Sequence, residues 1–138
     1  MATDADRLAR LREFAKSYTE AWCSRVPASV AAFYSVDGSL RINDGTPAVG
    51  RQAITKVAEG FMTAFPDMEV IMDSLDLKDD HPVYRWTLVG TNTGLGGAGN
   101  RVRISGFEEW RVGADGLIAA SLGHFDSAEY QRQLDQGV

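Results

Sequence analysis

Apolar residues recur along the first two dozen positions at three- and four-residue spacing: Leu8, Leu11, Phe14 or Ala15, Tyr18 and Trp22. That period puts them on one stripe and predicts an amphipathic helix from Asp4 to about Ser24. Pro27 and Ser29 introduce a short second helix carrying Val30, Phe33 and Tyr34. Asp37-Gly38 is read as a turn, Ser39 to Asn43 as a short strand, and Asn43 to Pro47 as a loop. Gly50 opens a third helix with Ala53, Ile54, Val57, Phe61 and Phe65 on one side, and Pro66 stops it. From there the pattern changes to strands: Met68–Leu77, Val83–Thr91, Val102–Val112 and Leu117–Phe125. They are separated by a turn at Asp79 to Pro82, a glycine-rich turn at Gly94 to Asn100 and a tight hairpin at Gly113 to Gly116. A short terminal helix follows Asp126. Helices first and strands afterwards predict an α+β fold, about three helices packed on a curved antiparallel sheet.

The strand Val102–Val112 carries the first chemical signal. Alternation puts Val102, Ile104, Gly106, Glu108, Trp110 and Val112 on one face and Arg103, Ser105, Phe107, Glu109 and Arg111 on the other. Glu108 is then the one carboxylate on an apolar face, where burial raises its pKa and makes it a candidate proton donor. The bland alternative is a glutamate at the sheet rim or tied to an arginine. Pairing Val112 with Leu117 sets Trp110 opposite Ala119, Glu108 opposite Ser121 and Gly106 opposite Gly123. Facing glycines would leave room for a ligand beside Trp110 and Glu108, or would mark a bulge.

Other residues divide between roles. Tyr18 is a second catalytic candidate, or a core tyrosine with a satisfied hydroxyl. Trp22, on the same stripe, is a candidate pocket wall. His124 points away from Glu108 by alternation and reaches a pocket only if its strand ends there; it is the third candidate for acid/base work. Asp126 has the spacing of an N-cap with Glu129 three residues on. Alternation would bury Tyr84, Trp86 and Leu88 and turn Arg85 outward.

Composition narrows the classes. The chain has 138 residues, 44% of them apolar, and is read as one domain over residues 1–138. A net charge of -5 disfavours nucleic acid as a partner. One cysteine, Cys23, and an acidic start without an apolar run suit a cytoplasmic protein with no membrane span. Gly94 to Gly99 spells a dinucleotide-type glycine pattern, but a strand follows it rather than a helix. Cys23, His81 and His124 lack metal-ligand spacing, so neither metal nor cofactor is implied.

Several segments together resemble the SnoaL-like branch of the NTF2-like (cystatin-like) superfamily. They are Arg85 to Gly94, the hairpin Asp115-Gly116-Leu117-Ile118, Phe125-Asp126 with Tyr130 to Leu134, and Pro66-Asp67. The resemblance covers nearly the whole chain. It implies a cone-shaped fold with a pocket for a hydrophobic small molecule, and a homodimer through the outer sheet face. It implies chemistry of an isomerase or polyketide cyclase type on a carbonyl compound, or ligand binding without catalysis. By the same resemblance Tyr18 sits near the isomerases' oxyanion tyrosine, and Arg85 turns inward, either to pair with Glu108 or to bind ligand. The cyclases' catalytic aspartate falls on Gly123, read here as a ligand-binding position, and their histidine falls on Trp110. The family's chemistry in its usual form is therefore not carried over.

Overall fold

A computed structural model describes residues 3–138. The first helix, α1 (Asp4–Cys23), begins at a reciprocal cap: Thr3 Oγ1 accepts from Asp6 N at 3.1 Å, and the Asp6 carboxylate accepts from Thr3 N at 3.3 Å. It buries Ala15, Tyr18, Ala21 and Trp22, the predicted stripe. Arg25, at φ 66°, turns the chain into α2 (Pro27–Ala31), where proline occupies the first turn. Tyr34 belongs to β1 (Tyr34–Ile42) and not to the second helix. Asp37-Gly38 is not a turn but lies within that strand, at a register irregularity between Tyr34 and Ser39. The expected loop after Asn43 ends in a two-residue strand, β2 (Ala48–Val49), ahead of α3 (Arg51–Ala64).

The rest is strands and one helix: β3 (Glu69–Lys78), β4 (His81–Thr91), β5 (Arg101–Val112), β6 (Ile118–Phe125) and α4 (Ser127–Gln136). The β3–β4 turn is only Asp79-Asp80, both at positive φ (49° and 66°), as in the tight turns whose twist matches a hairpin. His81 and Pro82 are therefore in the strand. Asp126 caps α4, accepting from Glu129 N at 3.0 Å. Glu129 does not reciprocate; its carboxylate is held by Arg132 and Gln133.

The six strands form one sheet in the order β2-β1-β6-β5-β4-β3. All pairs are antiparallel except β1 with β6, which run parallel. Irregularities in β1, β3 and the β5–β6 pair bend the sheet. Its inner face packs Tyr84, Leu88, Ile104 and Trp110 into one core with Ala15, Tyr18 and Trp22 of α1 and with Phe65 and Met68. This is the expected α+β cone. Among the described residues no helix is long and apolar enough to cross a membrane.

Candidate functional site

The β5–β6 register differs from the simple hairpin. Val112 pairs with Ile118, and β6 then carries an extra residue, Ala119, before Arg111 pairs with Ala120. The pairing moves by two residues, so faces are kept while partners change. Glu108 faces Gly123, Trp110 faces Ser121, and Gly106 faces Phe125. The two glycines do not meet. At Gly106 a Cβ would lie 2.3 Å from the His124 carbonyl oxygen and 2.6 Å from Trp86 Cζ2, so that space is filled. At Gly123 a Cβ would find nothing nearer than the Arg41 carbonyl oxygen at 3.4 Å.

Gly123 borders a cavity of about 60 Å³, partly open to solvent, between the inner sheet face and the helices. Its walls are rings from α1, α3, β4, β6 and α4: Trp22, Phe61, Tyr84, Trp86, Phe125 and Tyr130. A cavity of that size takes about four to six waters, or one small ring. The single carboxyl in the wall is that of Glu108, 7% exposed.

The two oxygens of Glu108 are not equivalent. Oε1 accepts from Ser121 Oγ at 2.8 Å, Trp110 Nε1 at 2.9 Å and the Tyr18 hydroxyl at 3.0 Å. Behind Tyr18 stands the Tyr34 hydroxyl, at 2.8 Å. Among the described residues nothing donates to Oε2, on a side chain that borders the cavity. Burial pushes the Glu108 carboxyl above its ordinary value, and the hydrogen bonds from Trp110, Ser121 and Tyr18 pull it part of the way back. Burial, and then the charge of Glu108, raises the Tyr18 and Tyr34 phenols well above theirs, so both remain donors.

The expected site residues thus fall into three groups. Glu108, Trp22 and Gly123 line the cavity. Tyr18 and Trp110 do not; fully buried, they hold Glu108 from behind, and Trp110 stacks on Tyr84 at 5.2 Å. Arg85 and His124 are on the outer face. Arg85 lies over the Phe107 ring at 5.7 Å, and His124 stacks on the same ring and bonds Glu109 Oε2 at 2.9 Å. Arg85 therefore does not pair with Glu108: alternation, which turns Tyr84, Trp86 and Leu88 inward, overrides the inward placement drawn from the resemblance. His124 lies one residue inside the end of β6 and is not among the residues that line the cavity.

The sequence pattern does not mark Tyr34, Ser121 or Trp86 as site residues. Ser121 was already on the Glu108 face. Tyr34 follows the apolar positions of the second helix but opens β1, and no local pattern marks it. The buried Nε1–H of Trp86, like Arg41 Nε, has no acceptor among the described residues, an arrangement that costs about 1–3 kcal/mol. Among the described residues no group of three His, Cys, Asp or Glu is placed to hold a metal ion.

A family model for SnoaL-like polyketide cyclases matches residues 12–134. The chain belongs to that family. Solved structures share the fold of this SnoaL-like protein. AclR from Streptomyces galilaeus, described as a putative hydroxylase, is 22% identical, with a TM-score of 0.77 over 94% of this chain and 83% of that one. A protein of ketosteroid isomerase-like fold from Catenulispora acidiphila, solved with trimethylamine, is 14% identical, with a TM-score of 0.77 over 89% of this chain and 92% of that one. A putative SnoaL-like polyketide cyclase from Jannaschia is 14% identical, with a TM-score of 0.73 over 92% of this chain and 94% of that one. At these identities the likeness is one of fold. No curated protein matches the chain.

Proposed function

We propose that this SnoaL-like protein binds a small, mainly apolar carbonyl compound and exchanges a proton with it through Glu108. The observation that carries this is the asymmetry of the carboxyl: three donors converge on Oε1, none among the described residues reaches Oε2, and the side chain borders the cavity. In the ionised form the donors hold the charge on Oε1, while Oε2 offers a lone pair with little water around it. In the neutral form the proton resides on Oε2, because the acceptor sites of Oε1 are taken. Proton traffic is thereby directed at the ligand. A pKa raised by burial brings the two forms closer to balance near neutral pH, where a group that both takes and returns a proton is most effective. Tyr18 and Trp110 act as positioning residues.

Deuterium exchange at the carbons beside the carbonyl of cyclohexanone, followed by NMR in D₂O, tests this reading. The protein is expected to accelerate exchange, and Glu108→Gln to abolish the acceleration while still binding the ketone. Binding with no acceleration by the unaltered protein would instead support a ligand-binding domain without catalysis. Gly123 favours that second reading, because it stands where the resemblance puts the cyclases' aspartate and leaves the cavity without a second carboxyl.

The same reading takes the protein to be cytoplasmic, in keeping with the free Cys23. It also takes a second copy to cover the outer sheet face, where Ile71 and Leu122 are 43% and 42% exposed.

A further inference from the structure

One group in the cavity wall has no role in that chemistry. The Trp86 Nε1–H is buried and has no acceptor among the described residues. The indole lines the same cavity as Glu108. Its Cζ2 edge, the one next to the N–H, lies over Gly106, where any side chain would collide with it. Trp86 pairs with Gly106 across β4–β5, and Gly106 and Glu108 share one face of β5. The other donors nearby are spent: the Tyr84 hydroxyl on Thr19, and the Trp110 and Tyr18 donors on Glu108.

We propose that Trp86 Nε1–H receives the carbonyl oxygen of the ligand, which makes it a second polar contact and a determinant of specificity. This rests on the reading of the cavity as a small-molecule site. Glu108 Oε2 removes a proton from the carbon beside the carbonyl. The C–H electron pair becomes the new C=C bond, and the carbonyl π pair moves to oxygen, where the indole N–H meets the charge. Return of the proton from Oε2 reverses the step, so no oxidant or second reactant is consumed. Ligand entry turns the indole or the Phe125 ring that packs edge-on against it at 6.0 Å. In a cavity of about 60 Å³ such a movement accompanies any molecule larger than one small ring. An acceptor that arrives with the ligand relieves the unpaired N–H, so movement and binding are linked.

The test compares cyclohexanone with methylenecyclohexane, a hydrocarbon of nearly the same shape, by ¹H–¹⁵N NMR of the intact chain. Loss of a peak in Trp86→Phe assigns the indole signal. The ketone is expected to move the Gly123 amide and to shift the Trp86 N–H proton downfield, whereas the hydrocarbon moves Gly123 alone. Trp86→Phe is expected to weaken the ketone roughly three- to tenfold and the hydrocarbon little. A ketone that moves Gly123 but not the Trp86 N–H overturns the proposal and leaves the cavity reading intact. Equal weakening of both probes also overturns it, because ring packing alone would then be at work. If neither probe moves Gly123, the proposal falls together with the reading it rests on.

Discussion

A carboxyl walled in by rings holds its charge only to the extent that donors replace the lost water. Glu108 has three, all on one oxygen, and burial still dominates. A folded-state pKa above the ordinary 4.5 means that the native protein binds this proton more tightly than the unfolded chain does. The resulting stability is complete below about pH 4.5 and is lost as pH rises through the folded value. Glu108→Gln keeps the acceptor on Oε1 and removes the titration. In the difference between the two proteins' stabilities, measured by denaturant unfolding from pH 4 to 8, the unaltered protein is expected to fall relative to the variant as pH rises. A flat difference would show that Glu108 is not perturbed. Asp6, Asp67, Asp115 and Glu129, whose values are lowered by hydrogen bonds, give the opposite slope at acid pH, but they are common to both and cancel. Tyr18→Phe removes one donor, so the Glu108 pKa rises, and any activity that needs its ionised form moves to higher pH.

At the scale of elements, β5 and β6 decide what Glu108 faces. Alternation along β5 made its inward direction legible, because side-chain period survives any shift of two residues. The partner was not legible. A longer loop and the extra Ala119 move the register by two, and nothing in the apolar pattern encodes a bulge. Arg85 teaches a related lesson: Tyr84, Trp86 and Leu88 on the same strand bury more apolar area than Arg85, Thr87 and Val89 could, and that difference set the face. The register can be tested with two alanines. Gly106→Ala sets a Cβ against backbone at 2.3 Å and is expected to cost about 1–3 kcal/mol or more. Gly123→Ala is expected to stay within about 1 kcal/mol of the unaltered protein, since the backbone there is uncrowded. Thermal unfolding checks both, and equal losses would contradict the assigned pairing. The cap of α4 was readable from Asp126 and Glu129 alone; Asp126→Ala is expected to cost about 1 kcal/mol.

At the scale of the molecule, the helix-then-strand order and the family motifs were enough to anticipate the cone. The cavity was not, because its walls come from side chains far apart in sequence, Trp22, Phe61, Trp86 and Tyr130 among them. Ring packing sets its size, and no local pattern reports that. With Tyr84 and Trp86 turned inward, the outer sheet face presents Ile71, Phe107 and Leu122 among charged neighbours. Sedimentation at micromolar concentration is expected to show a dimer that Leu122→Glu converts to monomer; monomer in the unaltered protein would remove the second copy from the account.

The most direct measurement is the ¹³C titration of the Glu108 carboxyl, with and without cyclohexanone. A midpoint above 4.5 in the free protein is expected, rising further when the ketone displaces the remaining water from Oε2. A midpoint at or below 4.5, unmoved by the ketone, would contradict a carboxyl that opens into an apolar binding cavity.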